Sequence, residues 1–448
     1  MKLDMTKGNI TKLILLFAFP LLLSNIFQQF YNIADTAIVG HLLGDDALSA
    51  VGTVSVIYGL VLSFCFGMTN GFALLISRSF GAGDMVMMKK SIAGTIKLAI
   101  MVSLLLTAVM LAVLKPVMRI IKTPEEVFET GYSYIVVIVC CLVVTTFYNM
   151  WSSILRAVGN TTAPLVFLII SSLSNVGLDI LFIGGFKLGV SGAAYATVLA
   201  QVFSGILCFI YVIKFCPELK VTKEDFKLDP ELVKELLASG LAMSLMFVIV
   251  NVGTVILQTG INGLGTGTIA AHVAARKASE VFMTPVAILS QTISTFASQN
   301  YGAGKLDRVK KGLYNVFAIG FTWSVIVILI AYFGGGTLIK SITGSDNSDI
   351  IALGAKYLRI NTPFYFFLVI LGTLRSMLQG LGEKMLPIIA SILEMAGKVI
   401  AVMVFVAPLG YTAICFTEPI TWIICCVPVL YAFVRFFKRN KVGSVSEG

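Results

Sequence analysis

Apolar runs of roughly 20 or more residues follow one another along this chain with little between them, each matching the length a helix rising about 1.5 Å per residue needs to cross a bilayer. Reading from the amino terminus, helices are expected near residues 12–40, 47–77, 92–115, 131–155, 161–184, 190–214, 233–260, 267–298, 312–335, 351–379, 384–406 and 410–436. Composition agrees: 57% of the 448 residues are hydrophobic and 12% charged, whereas a soluble domain carries about 25% charge. The expected fold class is an all-α integral membrane protein with twelve transmembrane helices. The first run begins at Leu13 after a basic start and continues past Pro20 without a small-residue cleavage site, so it reads as a retained helix and not a signal peptide.

The net charge of +10 raises the possibility of a nucleic-acid partner, and the placement of the bases argues against it. Lys and Arg gather on one side of the twelve-span scheme: Lys2, Lys7 and Lys12; Arg78, Lys89 and Lys90; Lys214, Lys220, Lys223, Lys227 and Lys234; Lys305, Arg308, Lys310 and Lys311; Lys438, Arg439 and Lys441. The opposite loops, "GDDA", "NGLGTG" and "TGSDNSD", are acidic or neutral, and the segment with Lys115, Arg119 and Lys122 is mixed. By the positive-inside rule both termini are cytoplasmic and the surplus is a topology signal. The eight cysteines lie in or at the ends of apolar spans without CxxC spacing or histidine clusters, and read as packing residues.

The chain also repeats itself. "SRSFGAGD" (Ser77 to Asp84) returns as "SQNYGAGK" (Ser298 to Lys305), and "LRAVGNTTAPL" (Leu155 to Leu165) is echoed by "LRSMLQGLGEKMLPI" (Leu374 to Ile388), with Arg156 matching Arg375 and Pro164 matching Pro387. The boundaries that follow are an N-terminal six-helix lobe at 1–214, a charged cytoplasmic linker at 215–235 and a C-terminal six-helix lobe at 236–448. Six spans per half give the halves one orientation, hence parallel pseudo-symmetric repeats, an architecture suited to opening a cavity alternately to each side. No GxxxxGK[ST] cradle for a nucleotide is present, and the adjacent acidic pairs, Asp45-Asp46, Glu125-Glu126 and Glu224-Asp225, all lie outside the expected spans, so neither ATP-driven transport nor metal-assisted membrane enzymology is expected.

Polar residues inside the spans are the candidates for function. Asp35 lies about five residues inside the first helix, roughly 7–8 Å from its end, and Asp179 lies at similar depth below Gly184. Thr197 reaches about the same level in the sixth span, and Asn175 stands one turn from Asp179 on the same face. An ionised carboxylate at such a place costs about 2.5–3.5 kcal/mol, and two in one low-dielectric pocket call for a proton or a hard cation such as Na⁺. Shifted by the repeat offset, Asp35 falls on Ile256, Asp179 near Val402 and Asn175 on Lys398, so the acidic pair belongs to the first half alone. In the second half Arg276, Lys277 and Glu280 occupy the eighth span and Glu394 and Lys398 the eleventh; the i,i+4 spacing of Arg276 with Glu280 and of Glu394 with Lys398 predicts internal ion pairs, with substrate contact as the alternative. Gln28, Tyr31 and Asn32 on the first helix complete the candidate substrate-facing set.

Together "FPLLLSNIFQQFYNIADTAIVGHLLGDDALSAVG", "NMWSSILRAVGNTTAPL", "NVGLDILFIGGFKLGVSGAAYATVLAQ" and the paired glycine corners resemble the multidrug and toxic compound extrusion (MATE) transporters over essentially all twelve spans. That resemblance implies two six-helix lobes in a V and antiport of amphipathic cationic drugs against H⁺ or Na⁺ by a monomer in the cell membrane, with membrane lipids around it and no cofactor. It also implies an N-lobe cation site at Asp35, Asn175, Asp179 and Thr197, with Asn149 nearby. Family members with carboxylates in the seventh and tenth helices align them with about Val250 and Phe364 here, neither of them ionisable. A flippase for lipid-linked saccharides, similar in fold, is the alternative.

Overall fold

Backbone polar groups have no partner in hydrocarbon, so a spanning segment must satisfy them internally, and helices do so. The computed structural model describes residues 3–121 and 123–443, with side chains to Asn440, and contains no strand among them. Lys2 and Lys122 of the basic clusters lie outside the described residues. In chain order the helices are α1 (Ile10–Leu43), α2 (Asp45–Ala82), α3 (Met85–Ile120), α4 (Glu125–Cys140), α5 (Leu142–Ala157), α6 (Thr162–Asp179), α7 (Val190–Phe215), α8 (Pro230–Asn262), α9 (Thr266–Gly302), α10 (Leu306–Thr343), α11 (Ser348–Asn361), α12 (Tyr365–Gly380), α13 (Met385–Ile400), α14 (Val406–Leu409) and α15 (Tyr411–Gly443). Eleven helical stretches are long and apolar enough to span, and α4 with α5, bent by 51°, forms a twelfth. The chain is an all-helical, multi-pass membrane protein.

Two expected spans are interrupted. Between α4 and α5 the helix turns at Cys141, where Thr107 of α3 donates to the Val139 carbonyl at 3.1 Å and satisfies an acceptor near the break. Between α11 and α12, Pro363 lacks the N–H that a continuous helix needs, and a 3₁₀ turn, Thr362–Phe364, takes its place. Elsewhere the helices outrun the expected spans, because "GAG" forms a corner and not a loop: α2 runs to Ala82 and α3 begins at Met85.

The duplication is most legible in the backbone. Gly44 and Gly265 (φ 85° and 90°), Gly83 and Gly304 (73° and 71°), and Gly189 and Gly410 (63° and 54°) form pairs, each separated by 221 residues in the sequence. At Gly83 this left-handed conformation closes α2, a geometry a side chain would strain. A π-helical segment follows α6 at Ile180–Gly185, and another follows α13 at Ala401–Phe405.

The helices fall into two compact units. The first holds Leu16–Ser244 and the described residues before Met5; within it α2 packs on α3, α4 and α5, and α7 packs on α4, α5 and α6. The first part of α8 lies against α2 at backbone distance: a Cβ on Gly71 would overlap the Ser239 carbonyl oxygen, and one on Gly67 would stand 2.5 Å from Ser244 Cα. One apolar core gathers Phe72, Met88, Ile92, Trp151 and Ile154, and another gathers Val54, Ile135, Ile138, Leu142 and Ala193. The second unit holds Met5–Leu15 and the described residues from Leu245. There α9 packs on α10, α11 and α12, and α15 packs on α11, α12 and α13, the neighbour pattern of the first unit repeated. Leu104, Leu105, Phe209, Leu329, Phe333 and Val427 remain on exposed faces, where a soluble protein would carry polar groups.

Candidate functional site

In the first unit α6 carries Asn175 and Asp179 one turn apart, and both are fully buried. The Asn175 amide is satisfied in the orientation that donates to Asp179 Oδ2 at 2.8 Å and accepts from the Thr197 backbone N–H at 3.2 Å, which ties α6 to α7. Asp35, half-buried on α1, lies within hydrogen-bonding reach of Asp179. Tyr31, one turn away on α1, places its hydroxyl 3.3 Å from Thr197 Oγ1. The structure therefore brings together Tyr31, Asp35, Asn175, Asp179 and Thr197.

Oδ1 of Asp35 and Oδ1 of Asp179 are both buried and receive no hydrogen bond from the protein. Among the described residues no Lys or Arg forms an ion pair with either carboxylate. Two carboxylates in contact inside a membrane repel unless a proton or a cation lies between them, and the pair fits both: an acid shares one hydrogen bond, and carboxylate, amide and hydroxyl oxygens suit a hard cation.

Asn149 is set apart from this contact. Its side-chain amide donates to the Thr145 carbonyl at 3.0 Å, and the Thr145 hydroxyl donates to Gln201 Oε1 at 2.5 Å. Gln201 also lies near Tyr58, and Tyr58 and Tyr134 lie within electrostatic range of Asp35. Sequence reading missed Tyr58, Tyr134, Thr145 and Gln201, since a tyrosine or threonine in a span carries no signal distinct from packing. Gln28 and Asn32 are exposed on α1 and bond each other at 3.4 Å.

The second unit is wired differently. The spacing of Arg276 and Glu280 suggests a pair, yet Arg276 turns inward and holds Glu418 of α15 through two contacts of 2.8 and 2.9 Å, while Glu280 and Lys277 stand on exposed positions. Tyr357 donates to Glu418 Oε2 at 2.8 Å, and His272 meets Tyr357 edge-on. The choice of partner is physical: Glu418 is nearly fully buried and needs a countercharge, whereas an exposed Glu280 does not. Glu394 and Lys398 do pair, at 3.3 Å, and Arg375 joins them at 3.1 Å from the other Glu394 oxygen. Lys398 also donates to Thr254 at 3.2 Å. Sequence reading missed Glu418 as well, although a lone acid in an apolar run, "CFTEPITW", is a signal that could have found it.

The repeat places these clusters in register. The 221-residue shift that carries Gly189 to Gly410 carries Thr197 to Glu418, and Asn175 falls near Lys398. What in the first unit is a pair of acids without a base is in the second a set of acids held by Arg276, Arg375 and Lys398.

The MatE family profile matches residues 20–181 and 242–412, covering both units and nearly all of both clusters. The chain belongs to the MatE family. Among its MatE relatives, a protein of Bacillus subtilis described as probable multidrug resistance protein YoeA is 28% identical over 339 residues, 73% of each chain. A second B. subtilis protein, described as probable multidrug resistance protein YpnP, is 26% identical over 393 residues, 87% of each. A crystal structure of MATE in a bent conformation superposes with a TM-score of 0.91 at 22% identity, covering 98% of both chains, so the MatE fold is shared nearly end to end.

Proposed function

We propose that this MatE protein is a secondary active exporter of amphipathic organic cations, driven by H⁺ or Na⁺ entering at Asp35 and Asp179 and working by alternating access, without a catalysed reaction. The observation that carries this reading is the pair of buried Oδ1 atoms, without a hydrogen bond from the protein, on two carboxylates within hydrogen-bonding reach of each other, with no Lys or Arg among the described residues paired to either. Asn175 orients Asp179, and Thr197 with Tyr31 borders the pair. The second unit supports the assignment by contrast, since its acids already have fixed countercharges and leave no need for a mobile one.

Antiport follows from charge. An ion drives transport only through unequal affinity for two conformations, and a tenfold difference is about 1.4 kcal/mol. A cationic drug drawn to the same acidic region is disfavoured once the pair has taken up its proton or Na⁺, so the two leave and enter in turn. The multidrug names of the relatives accord with substrates chosen by charge and apolar surface. Gln28 and Asn32, exposed on α1 of the first unit, are proposed as substrate-facing groups, and in the second unit the exposed Lys277 and Glu280 of α9 are proposed separately for the same role. Both termini and the segment 215–235 that joins the two repeats are assigned to the cytoplasmic side.

Purified protein in liposomes, loaded with ethidium and given a pH or a Na⁺ gradient separately, tests this. Efflux is expected to accelerate under one gradient and collapse when it is dissipated. No ethidium movement under either gradient, with lipid-linked saccharide flipping in the same vesicles, would move the assignment to a flippase.

A further inference from the structure

We propose that a cavity at the start of α10 in the second unit binds a phosphate-bearing anion, either the headgroup of an anionic phospholipid or free phosphate. Among the described residues, the cavity, of about 930 Å³, is walled by Lys305, Arg308, Lys310 and Lys311 with one acid, Asp307, and with Asn315 and Asn440 as further donors. Lys305 Nζ donates to the Thr6 carbonyl at 2.9 Å, and Arg308 donates to those of Gly8 at 2.8 Å and Met5 at 3.3 Å, so these two fix the chain segment that forms one wall. Lys310 and Lys311 line the rest of the cavity: Lys310 sits 4.8 Å from the centre of the Phe437 ring and 3.9 Å from the exposed Asp307, and Lys311 is exposed.

Helix electrostatics makes this arrangement costly without an anion. The N-terminus of a helix carries about half a positive charge, and a cation there is unfavourable. Here Lys305 occupies the N-cap of a 38-residue helix with no side-chain cap, and Arg308, Lys310 and Lys311 crowd its first two turns. A phosphate offers several acceptor oxygens to ammonium, guanidinium and backbone N–H groups at once. Phe437 supplies an apolar flank suited to the glycerol end of a lipid.

The internal repeat supplies a control. Shifted by 221 residues, Lys310 and Lys311 match Lys89 and Lys90, but Lys305 matches Asp84 and Arg308 matches Met87. In the first unit Asp84 caps α3 by accepting from the Met87 N–H at 2.9 Å, as helix electrostatics prefers. Its cavity is about 270 Å³ and is walled by Asp229, Glu231 and Glu235, with Glu235 paired to Arg78 at 3.1 Å. Asp225, held below the usual carboxylate range by its bond from the Thr222 backbone, also feels Lys89 and Lys90. One corner is thus neutralised by the chain's own carboxylates, and its repeat is enlarged and strongly basic.

The test titrates the full-length protein, delipidated in detergent, with dioleoyl-phosphatidylglycerol, dioleoyl-phosphatidylcholine or inorganic phosphate, and counts bound adducts by native mass spectrometry. No transport is read. Phosphatidylglycerol is expected to bind at least tenfold more tightly than phosphatidylcholine, with that preference lost in K310Q/K311Q and kept in K89Q/K90Q. Retention of the lipid against millimolar phosphate identifies a headgroup site; displacement by phosphate, with phosphate binding also lost in K310Q/K311Q, identifies a free-phosphate site. The proposal is overturned if phosphatidylglycerol shows no preference and phosphate does not bind. It is overturned equally if the preference survives K310Q/K311Q or falls to the same extent in both double variants.

Discussion

Asp179 and Glu418 are both buried acids, and what each does is decided by its neighbours. Asp179 touches another carboxylate and an amide; Glu418 is gripped by Arg276 and Tyr357. Substituting Asn for either aspartate keeps the size and removes the charge to which the proposed coupling ion would be drawn. Asp35→Asn and Asp179→Asn are each expected to lower gradient-driven efflux by more than tenfold while the protein remains folded, as read by transport and size-exclusion profile. Thr197→Ala and Asn175→Ala, which remove neutral ligands, should weaken the ion dependence less. Normal ion-dependent efflux in both Asp variants would remove the coupling assignment. Glu418→Gln behaves differently: it leaves the half-buried Arg276 without its countercharge, a change that costs up to about 3–5 kcal/mol. A clear fall in melting temperature is expected for Glu418→Gln and almost none for Glu280→Gln, because Glu280 is exposed. Asp35, Asn175, Asp179 and Thr197 were legible in the sequence because polar residues within apolar spans are costly to bury, and these four fall close to one depth. The Arg276–Glu418 pair was not, since it joins residues 142 apart and nothing in i,i+4 spacing points across that distance.

At the scale of elements, the spans were legible from apolar length, and their interruptions were legible only in part. Pro363 explains the turn between α11 and α12; the bend at Cys141 has no proline or glycine at the break and depends on a hydroxyl from α3. Helix contacts were less visible still, because a glycine in an apolar run gives no sign of what it approaches. Gly71 and Gly52 illustrate this. A Cβ on Gly71 would run into the Ser239 carbonyl oxygen, backbone that cannot turn aside, while one on Gly52 of the same helix meets nothing within 4 Å. Gly71→Val is accordingly expected to force α8 from α2 and abolish monodisperse protein in detergent. Gly52→Ala should leave melting unchanged or raise it, since alanine favours a helix by up to about 1 kcal/mol over glycine. Equal tolerance of the two substitutions would mean that α2 and α8 do not approach at Gly71.

For the molecule as a whole, even span number and charge asymmetry make one statement about orientation. Six spans in each repeat would return the chain to its starting side, so we propose that the segment 215–235 and both termini share one face, the cytoplasmic one by the positive-inside rule. Lys89 and Lys90 lie near linker Asp225, and Lys305 and Arg308 hold the carbonyls of Met5, Thr6 and Gly8, so the bases on this side are tied into helix corners. Single cysteines in a cysteine-free background decide the orientation with a membrane-impermeant maleimide. Asp46→Cys and Ser345→Cys, in the acidic or neutral loops, are expected to label on intact cells, and Glu224→Cys and Asp307→Cys only after permeabilisation. None of the eight native cysteines forms a disulfide, and they are replaced by alanine for this purpose, the six buried ones at some cost in packing. Labelling of Glu224→Cys or Asp307→Cys on intact cells would invert the orientation, place Asp35 near the cytoplasmic side, and require the coupling ion to reach the acidic pair from the opposite compartment.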